Sequence, residues 1–400
     1  MSVNTMQSCK RCLYQADHAL GLVIDDQGIC SGCRIHEEKD ALDWQHRWSL
    51  LEQLVQPYRS SDTRHYDCIV PVTGAQDSYY ILHLVKNRLK MNPLLVTYNK
   101  YWNTPLGIRN LANLRIKFNC DIVIQNVNPL AVKKITKETL RKFGSLYWHC
   151  LSGQTVFPVQ TAVRYQIPLI IWGAHQGMEQ VGMFSHEHEV EMTRRYRKDH
   201  DLMGHEADDL LSVFNTLTEG DIWQYRYPDD HSLNRVGVRG IYLNNYVRWD
   251  PLAQHKKMVD LYDYQGASFN RTFDTYDHVD CYNYMDLHDR IKGMKCGYSK
   301  VTDQLSREIR HGRISRDQAL IANKFYGCQS TKYEDLLLDW LDIDQAGLEF
   351  VLHQFDQEKQ SDGENNRDYS LGEVTELLQE ATQLSMDRKD QYITIGKGIK

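Results

Sequence analysis

Between residues 67 and 172 short apolar runs alternate with longer segments whose apolar residues recur every three or four positions. Short runs bounded by turns predict buried strands, and the longer segments predict amphipathic helices. The pattern gives strand 67–72, helix 77–89, strand 93–98, helix 104–118, strand 121–125, helices 129–142 and 154–165, and strand 168–172. Strands alternating with helices of this length form βαβ units, so the fold class is α/β, a parallel sheet with helices on both faces. Such sheets bind ligands beyond the carboxyl ends of their strands, where the strand order reverses. Residues 37–58 carry Ala41, Leu42, Trp44, Trp48, Leu51, Leu54 and Val55 at helical spacing, a connector helix ending near Pro57. From about 184 the chain becomes more helical and polar, 356–368 has no apolar face and reads as an exposed linker, and an amphipathic helix follows near 370–385. The expected organisation is 1–58, a small module and connector; 59–275, the sheet domain; and 276–400, a helical C-terminal region.

The first strand runs into Ile-Val-Pro-Val-Thr-Gly-Ala-Gln-Asp-Ser-Tyr-Tyr, residues 69–80. A strand that feeds a glycine turn into a helix N-terminus aims several backbone N–H groups at one spot, with the positive end of the helix dipole behind them. That is a phosphate site in form. The spacing is neither that of a Walker loop nor that of a dinucleotide fold. An ordinary strand-to-helix turn is the alternative.

Net charge is −6 and no stretch approaches the roughly 20 apolar residues of a membrane span. With no signal pattern at the N-terminus, the expected location is the cytoplasm, and the acidic balance disfavours a general nucleic-acid binder. Four of the ten cysteines are organised: Cys9 and Cys12 form one Cys-x-x-Cys pair, Cys30 and Cys33 another, with 17 residues between the pairs. That spacing predicts a closed, structural zinc site of four thiolates, with Gly32 easing the second knuckle; a redox pair is the minor alternative. The remaining six cysteines read as buried thiols.

The loop Thr73-Gly74-Ala75-Gln76-Asp77-Ser78 resembles the Ser-Gly-Gly-x-Asp-Ser loop of the PP-loop ATP pyrophosphatases. Thr73 keeps the hydroxyl, whereas Ala75 stands for the second glycine, a departure that costs affinity if that position is left-handed. Three further segments, 99–114, 168–183 and 295–319, taken in order with the four-cysteine module and the loop, resemble the N-acetyl sugar amidotransferases over about residues 9–330. The resemblance implies an adenine nucleotide alpha hydrolase-like sheet. The implied reaction is ATP-dependent conversion of an N-acetyl group to an acetamidino group, on nucleotide-activated or nonulosonic sugars for surface glycans such as O-antigen, with ATP, Mg2+ and structural Zn2+ as cofactors.

On this resemblance Thr73, Gly74, Ala75, Gln76, Asp77 and Ser78 hold the pyrophosphate, with Asp77 either facing Mg2+ or bracing the loop, or else simply capping the helix. Val96, Tyr98 and Asn99 flank the adenine, and Gly173, His175 and Glu179 face the same crevice, although a hydrogen-bonded loop histidine is an equal reading of His175. Arg307, Arg310, Arg313 and Arg316 recur every three residues, either to bind a phosphate or as a solvated basic face paired with Glu308 and Asp317. The run Ser185-His-Glu-His-Glu189 reads as exposed, and the aromatic residues of 222–264 as sugar-stacking surface or core. No glutaminase signature is present in the sequence, so the resemblance implies ammonia from a separate glutaminase similar to the histidine-pathway amidotransferase subunit, with or without its cyclase-like companion. The rivals are a PP-loop tRNA thiolation enzyme and a non-catalytic homologue with a decayed loop.

Overall fold

The computed structural model describes residues 7–60, 62, 64–355 and 369–378, together with the backbone of a short antiparallel pair, Ile393–Thr394 and Gly398–Ile399. Its centre is a parallel sheet of β1 (Cys68–Pro71), β2 (Pro93–Tyr98), β3 (Ile122–Gln125), β4 (Leu169–Trp172) and β5 (Arg239–Tyr242), in the order β3-β2-β1-β4-β5. The chain leaves β1 towards β2 on one side and returns to β4 on the other. The strand order therefore reverses between β1 and β4, and their carboxyl ends open the crevice that this topology offers to a ligand.

The two-residue period of the strands sorts their side chains onto the two faces. Ile69, Leu94, Val96 and Ile170 pack with Phe157, Val159 and Ala162 of the helix Trp148–Tyr165. Their neighbours Val70, Leu95, Leu169 and Ile171 pack on the opposite side, with Leu82, Leu114, Leu252 and Met258 from three other helices. Both faces are thus covered, as the apolar runs predict.

Several elements differ from expectation. The helix expected at 154–165 begins at Trp148, because Gly153 is not a break: a Cβ there would lie 2.3 Å from the Tyr98 ring, so the glycine lets helix and strand approach. The helix expected at 77–89 is α-helical over Gln76–Leu82 and continues as a π-helical turn, His83–Arg88. The single connector is two helices, Ser31–Ala41 and Trp44–Val55, because Asp43 accepts hydrogen bonds from the Gln45 and His46 amides and starts the second. β5 was not foreseen, since Arg-Gly-Ile-Tyr is short and has only one strongly apolar residue facing the core, Ile241. Among the described residues the last helix is Leu371–Leu377, docked on the body through Val374 and Leu378; Leu384 and the expected linker at 356–368 lie outside the described residues. Of the six unorganised cysteines, Cys68, Cys150 and Cys281 are buried, while Cys120 and Cys296 are half-buried and Cys328 is exposed.

One contact fixes the geometry at the crevice. A Cβ at Gly74 would lie 2.2 Å from the Gly107 carbonyl oxygen, and a Cβ at Gly107 would lie 2.4 Å from the Asp280 Cα. Three backbone segments, the loop after β1, the helix Pro105–Phe118 and the stretch around Asp280, therefore stack without intervening side chains. Thr104 locks the arrangement: its hydroxyl accepts from the Gly107 amide at 2.9 Å and donates to the Val279 carbonyl.

Gly107→Ala should cost about 1–3 kcal/mol, the usual range for overpacking. Gly327→Ala, at the end of a helix with open space around it, should be neutral or slightly stabilising. Denaturant unfolding of the two variants checks the contrast.

Candidate active site

The loop from Thr73 to Ser78 is held by its own hydroxyls. The Thr73 amide donates to Ser78 Oγ at 2.8 Å and the Ala75 amide donates to Thr73 Oγ1 at 3.1 Å. Both hydroxyls sit where the resemblance places phosphate-binding groups, and here they satisfy the turn. Ala75 has φ −91° and ψ 165°, an extended conformation that alanine adopts without strain, so the missing glycine imposes no backbone penalty. Ala75→Gly is therefore expected to lower stability by about 0.4–1 kcal/mol, because no positive φ is relieved and the unfolded chain gains freedom; denaturant unfolding checks it.

Asp77, in the first turn of the following helix, faces other acids. Burial, and then the neighbouring Asp277, push its carboxyl up to about 7. Asp277 is also raised, by burial, and accepts a hydrogen bond from Gln76 Nε2 at 3.3 Å. Asp274 is pushed up to about 6 by burial although Arg307 Nη2 lies 3.0 Å from its Oδ2. The other oxygen of Asp274 accepts from the Tyr276 and Asp277 amides at 2.9 Å each. Asp274 is buried and Asp77 and Asp277 are half-buried; a site with this excess of carboxylates suits a cation, and the buried Gln76 Oε1 has no partner in the structure. Asp77 with Asp277 would be the residues to hold Mg2+.

The second wall came from residues that sequence reasoning passed over. Asp274, Asp277 and Asp280 recur every third residue, a spacing visible in the chain but masked by the domain division expected at 275. Gln76, Lys100 and Thr104 all bond across that position, to Asp277, Asp280 and Val279. Lys100 Nζ reaches Asp280 Oδ2 at 2.6 Å, with both groups buried. Burial opposes the lysine's charge, yet Asp280 raises its pKa overall.

The remaining expected residues divide. Asn99, at the carboxyl end of β2, bonds Asn126, Tyr101 and Asn103. The Val96 side chain is in the core and its carbonyl accepts from the Val72 amide, and the Tyr98 side chain is buried with its hydroxyl 2.7 Å from Tyr225 and 3.0 Å from His149 Nδ1, so neither side chain is free to flank a ligand. Gly173 lies after β4 against Ile81 and Trp249. His175 is buried among Phe184, Tyr196 and Tyr242; burial lowers its pKa to about 4, so it is neutral at pH 7. Glu179 pairs with Lys39 at 2.6 Å and accepts from Asn244 Nδ2 at 2.9 Å.

The arginines are not a solvated face. Arg307 bonds Asp274, Glu308 and Tyr276 beside the crevice. Arg313 is taken by Asp250 and by Glu308, whose side chain is fully buried. Arg310 lies at the cysteines, its Nη2 3.6 Å from Cys30 Sγ and 3.8 Å from Cys12 Sγ. His186, expected to be exposed, is buried with Nδ1 2.9 Å from Glu38 Oε1, whereas Glu187, His188 and Glu189 are exposed. Of the aromatic residues in 222–264, Tyr225, Tyr246, Trp249 and Tyr264 are core and Trp223 is exposed.

Cys9, Cys12, Cys30 and Cys33 are fully buried and their sulfurs converge within 4.8 Å of one another. Cys12 Sγ and Cys30 Sγ are 3.6 Å apart. Tetrahedral zinc at about 2.3 Å from each sulfur needs a separation of about 3.8 Å, so the four thiols fit the metal. Backbone amides of Arg11, Cys12 and Cys30 point at Cys9 Sγ, and that of Cys33 at Cys30 Sγ, as thiolates require. Gly32 does not ease a turn: it is helical, and a Cβ there would lie 2.2 Å from the Gln180 carbonyl and 2.4 Å from Arg310 Nη2.

Residues 270–375 match the family model described as the LPS biosynthesis protein WbpG-like, C-terminal domain. The match takes in the aspartate-rich wall and the arginine helix and stops short of the sheet. No curated protein matches the chain. Among solved structures, the NH3-dependent NAD synthetase from Campylobacter jejuni subsp. jejuni NCTC 11168, in complex with the nitrate ion, is similar over 49% of this chain and 92% of its own, at 13% identity and a TM-score of 0.29. Among the described residues no helix is long and apolar enough to cross a membrane.

The raised Asp77 carboxyl makes the folded state favour the proton. Its penalty is absent below the ordinary value of 3.8 and complete above about 7, so this group's contribution to stability falls as pH rises between them. Asp77→Asn should raise Tm at about pH 8 by a few degrees, with the gain shrinking towards about pH 4. Thermal melts of both proteins without divalent cation, across that range, measure it.

Proposed function

We propose that this chain is an ATP-dependent, AMP-forming amidotransferase that converts an N-acetyl group of a nucleotide-activated or nonulosonic sugar into an acetamidino group for surface glycan synthesis. The observation that carries this reading is the Thr73–Ser78 loop at the carboxyl end of β1, where the strand order reverses, walled by a segment that matches an LPS biosynthesis family model.

An amide carbon is a poor electrophile and its oxygen a poor leaving group. Attack of the amide oxygen on the α-phosphorus expels pyrophosphate and gives an adenylated imidate. Ammonia then adds to the imidate carbon, a proton is lost, and AMP leaves with the former amide oxygen. One ATP is consumed for each amidine.

In this reaction the amides from Gly74 to Asp77 bind the departing pyrophosphate, aided by the helix dipole, and the Thr73 and Ser78 hydroxyls turn from the loop amides to phosphate oxygens. Asp77 and Asp277 hold Mg2+, which when bound neutralises phosphate charge. Arg307, beside Asp274, supplies a fixed positive charge at the crevice edge. Ammonia comes from a separate glutaminase subunit resembling that of the histidine pathway, with or without a cyclase-like partner. A cytoplasmic location follows, because ATP and nucleotide sugars are there.

The test incubates the chain with diacetamido sugars, ATP, Mg2+ and concentrated ammonium chloride. Replacement of oxygen by NH lowers the sugar mass by about one unit, in step with AMP release; the acetamidino product should form and be abolished in Asp77→Ala. AMP release driven by tRNA and not by any sugar would replace this reading with a thiolation enzyme. No AMP under any condition would favour a loop that no longer uses ATP.

A further inference from the structure

The four-cysteine module and the loop after β4 share their supports. Arg310 sits between them: Nη2 donates towards Cys30 Sγ and Cys12 Sγ at 3.6 and 3.8 Å, and Nη1 donates to the Glu179 carbonyl at 2.9 Å. Its guanidinium also covers the Tyr14 ring at 5.2 Å. Beyond Arg310 the connection continues through bonded groups. The Glu179 carboxylate accepts from Asn244 Nδ2, and Asn244 Oδ1 accepts from the His175 amide at 3.0 Å. His175 stands three residues past β4, at the strand end that faces the loop after β1.

A second set of contacts joins the same two parts. Ser31 Oγ, in the knuckle between Cys30 and Cys33, donates to the Val181 carbonyl, and Gly182 takes φ +64° with the space for its Cβ filled by the Ser31 carbonyl 2.4 Å away. Lys39, nearly inaccessible on the helix that Cys30 caps, ends on Glu179.

From this arrangement we infer that Arg310 is a positioning residue that couples metal occupancy of the four-cysteine module to the conformation of residues 173–183. Four thiolates around Zn2+ carry two net negative charges, and Arg310 is the guanidinium that offsets one of them at hydrogen-bonding distance. When the metal is bound, that attraction holds the guanidinium in place and its other N–H fixes the Glu179 carbonyl. When the metal leaves, the four sulfurs are no longer drawn together, Arg310 loses its fixed acceptors, and the loop loses one of its anchors. The inference concerns the chain's own scaffold and stands independently of the reaction proposed above.

The experiment uses the full chain in three forms, wild type, Arg310→Met and Lys39→Met, each followed by chelator-driven zinc release and by hydrogen exchange over 173–183 and over β2. In Arg310→Met, zinc release should be at least about tenfold faster and the loop should exchange faster, as expected for loss of a group that supports metal ligands. In Lys39→Met the loop should exchange faster while zinc release stays within about twofold, since that lysine bonds Glu179 and not the thiolates. Zinc-stripped wild type should lose protection over 173–183 while β2 keeps its own. Unchanged zinc release in Arg310→Met, unchanged loop protection in the stripped protein, or loss of protection that extends through β2 would each overturn the inference. Should Arg310→Met fail to fold, the stripped wild type alone decides.

Discussion

The close approach of Gly74, Gly107 and Asp280 is the constraint on which the candidate site depends. With no Cβ at the first two positions, the loop after β1, the start of the helix Pro105–Phe118 and the aspartate-rich segment meet backbone to backbone. Each would otherwise be separated by a side chain's width. The stacking brings the Thr73–Ser78 loop and the Asp274–Asp280 wall into one crevice, although some 200 residues of chain separate them. Thr104 holds the middle layer from both sides, as the N-cap of the helix and as a donor to Val279.

Charge is distributed around that crevice in a way that geometry alone does not require. Asp274 is buried with Asp77 and Asp277 half-buried beside it; on top of burial, Asp277 and Asp274 raise Asp77 and Asp277 raises Asp274, while Arg307 is the counter-charge bonded to Asp274. Such a cluster is costly by itself, because desolvated carboxylates repel and lose hydration. A cation bound there would offset that cost. Elsewhere the arrangement is the opposite: Lys100 with Asp280, Lys39 with Glu179, and Arg313 with Asp250 and Glu308 are matched pairs whose role is to fix backbone segments relative to each other.

The regular part of the fold was legible because its signals are local. Each of the first four strands lies within a residue of its expected bounds, since apolar runs between turns mark strands, buried on both faces in β1, β2 and β4 and half-buried in β3 at the sheet edge. The four-cysteine module was legible for the same reason: two Cys-x-x-Cys pairs specify a ligand set by spacing alone. Failures came where a residue's role is set by something distant. Gly32 looks like a turn residue and Gly153 stands just before the expected start of its helix, yet both are helical and small because Gln180 with Arg310 in one case, and Tyr98 in the other, pass against them. The arginines at every third position look like one basic face, yet Arg307 reaches Asp274, Arg310 the cysteines and Arg313 Asp250, because the helix stops at Arg310 and Arg313 lies in the turn beyond it.

By itself, then, the sequence determined the α/β class, the place of the loop between β1 and its helix, and the cluster of four cysteines, all of which follow from periodicity or short spacing. Only the tertiary structure decided that Ala75 sits in extended backbone, that the second wall of the crevice is the Asp274–Asp280 segment, and that Arg310 belongs to the thiolates. The physical reason is common to all three. Periodicity records which face of an element is buried, but not which distant group buries it, and the conformation of a loop residue and the partner of a charge both depend on that group.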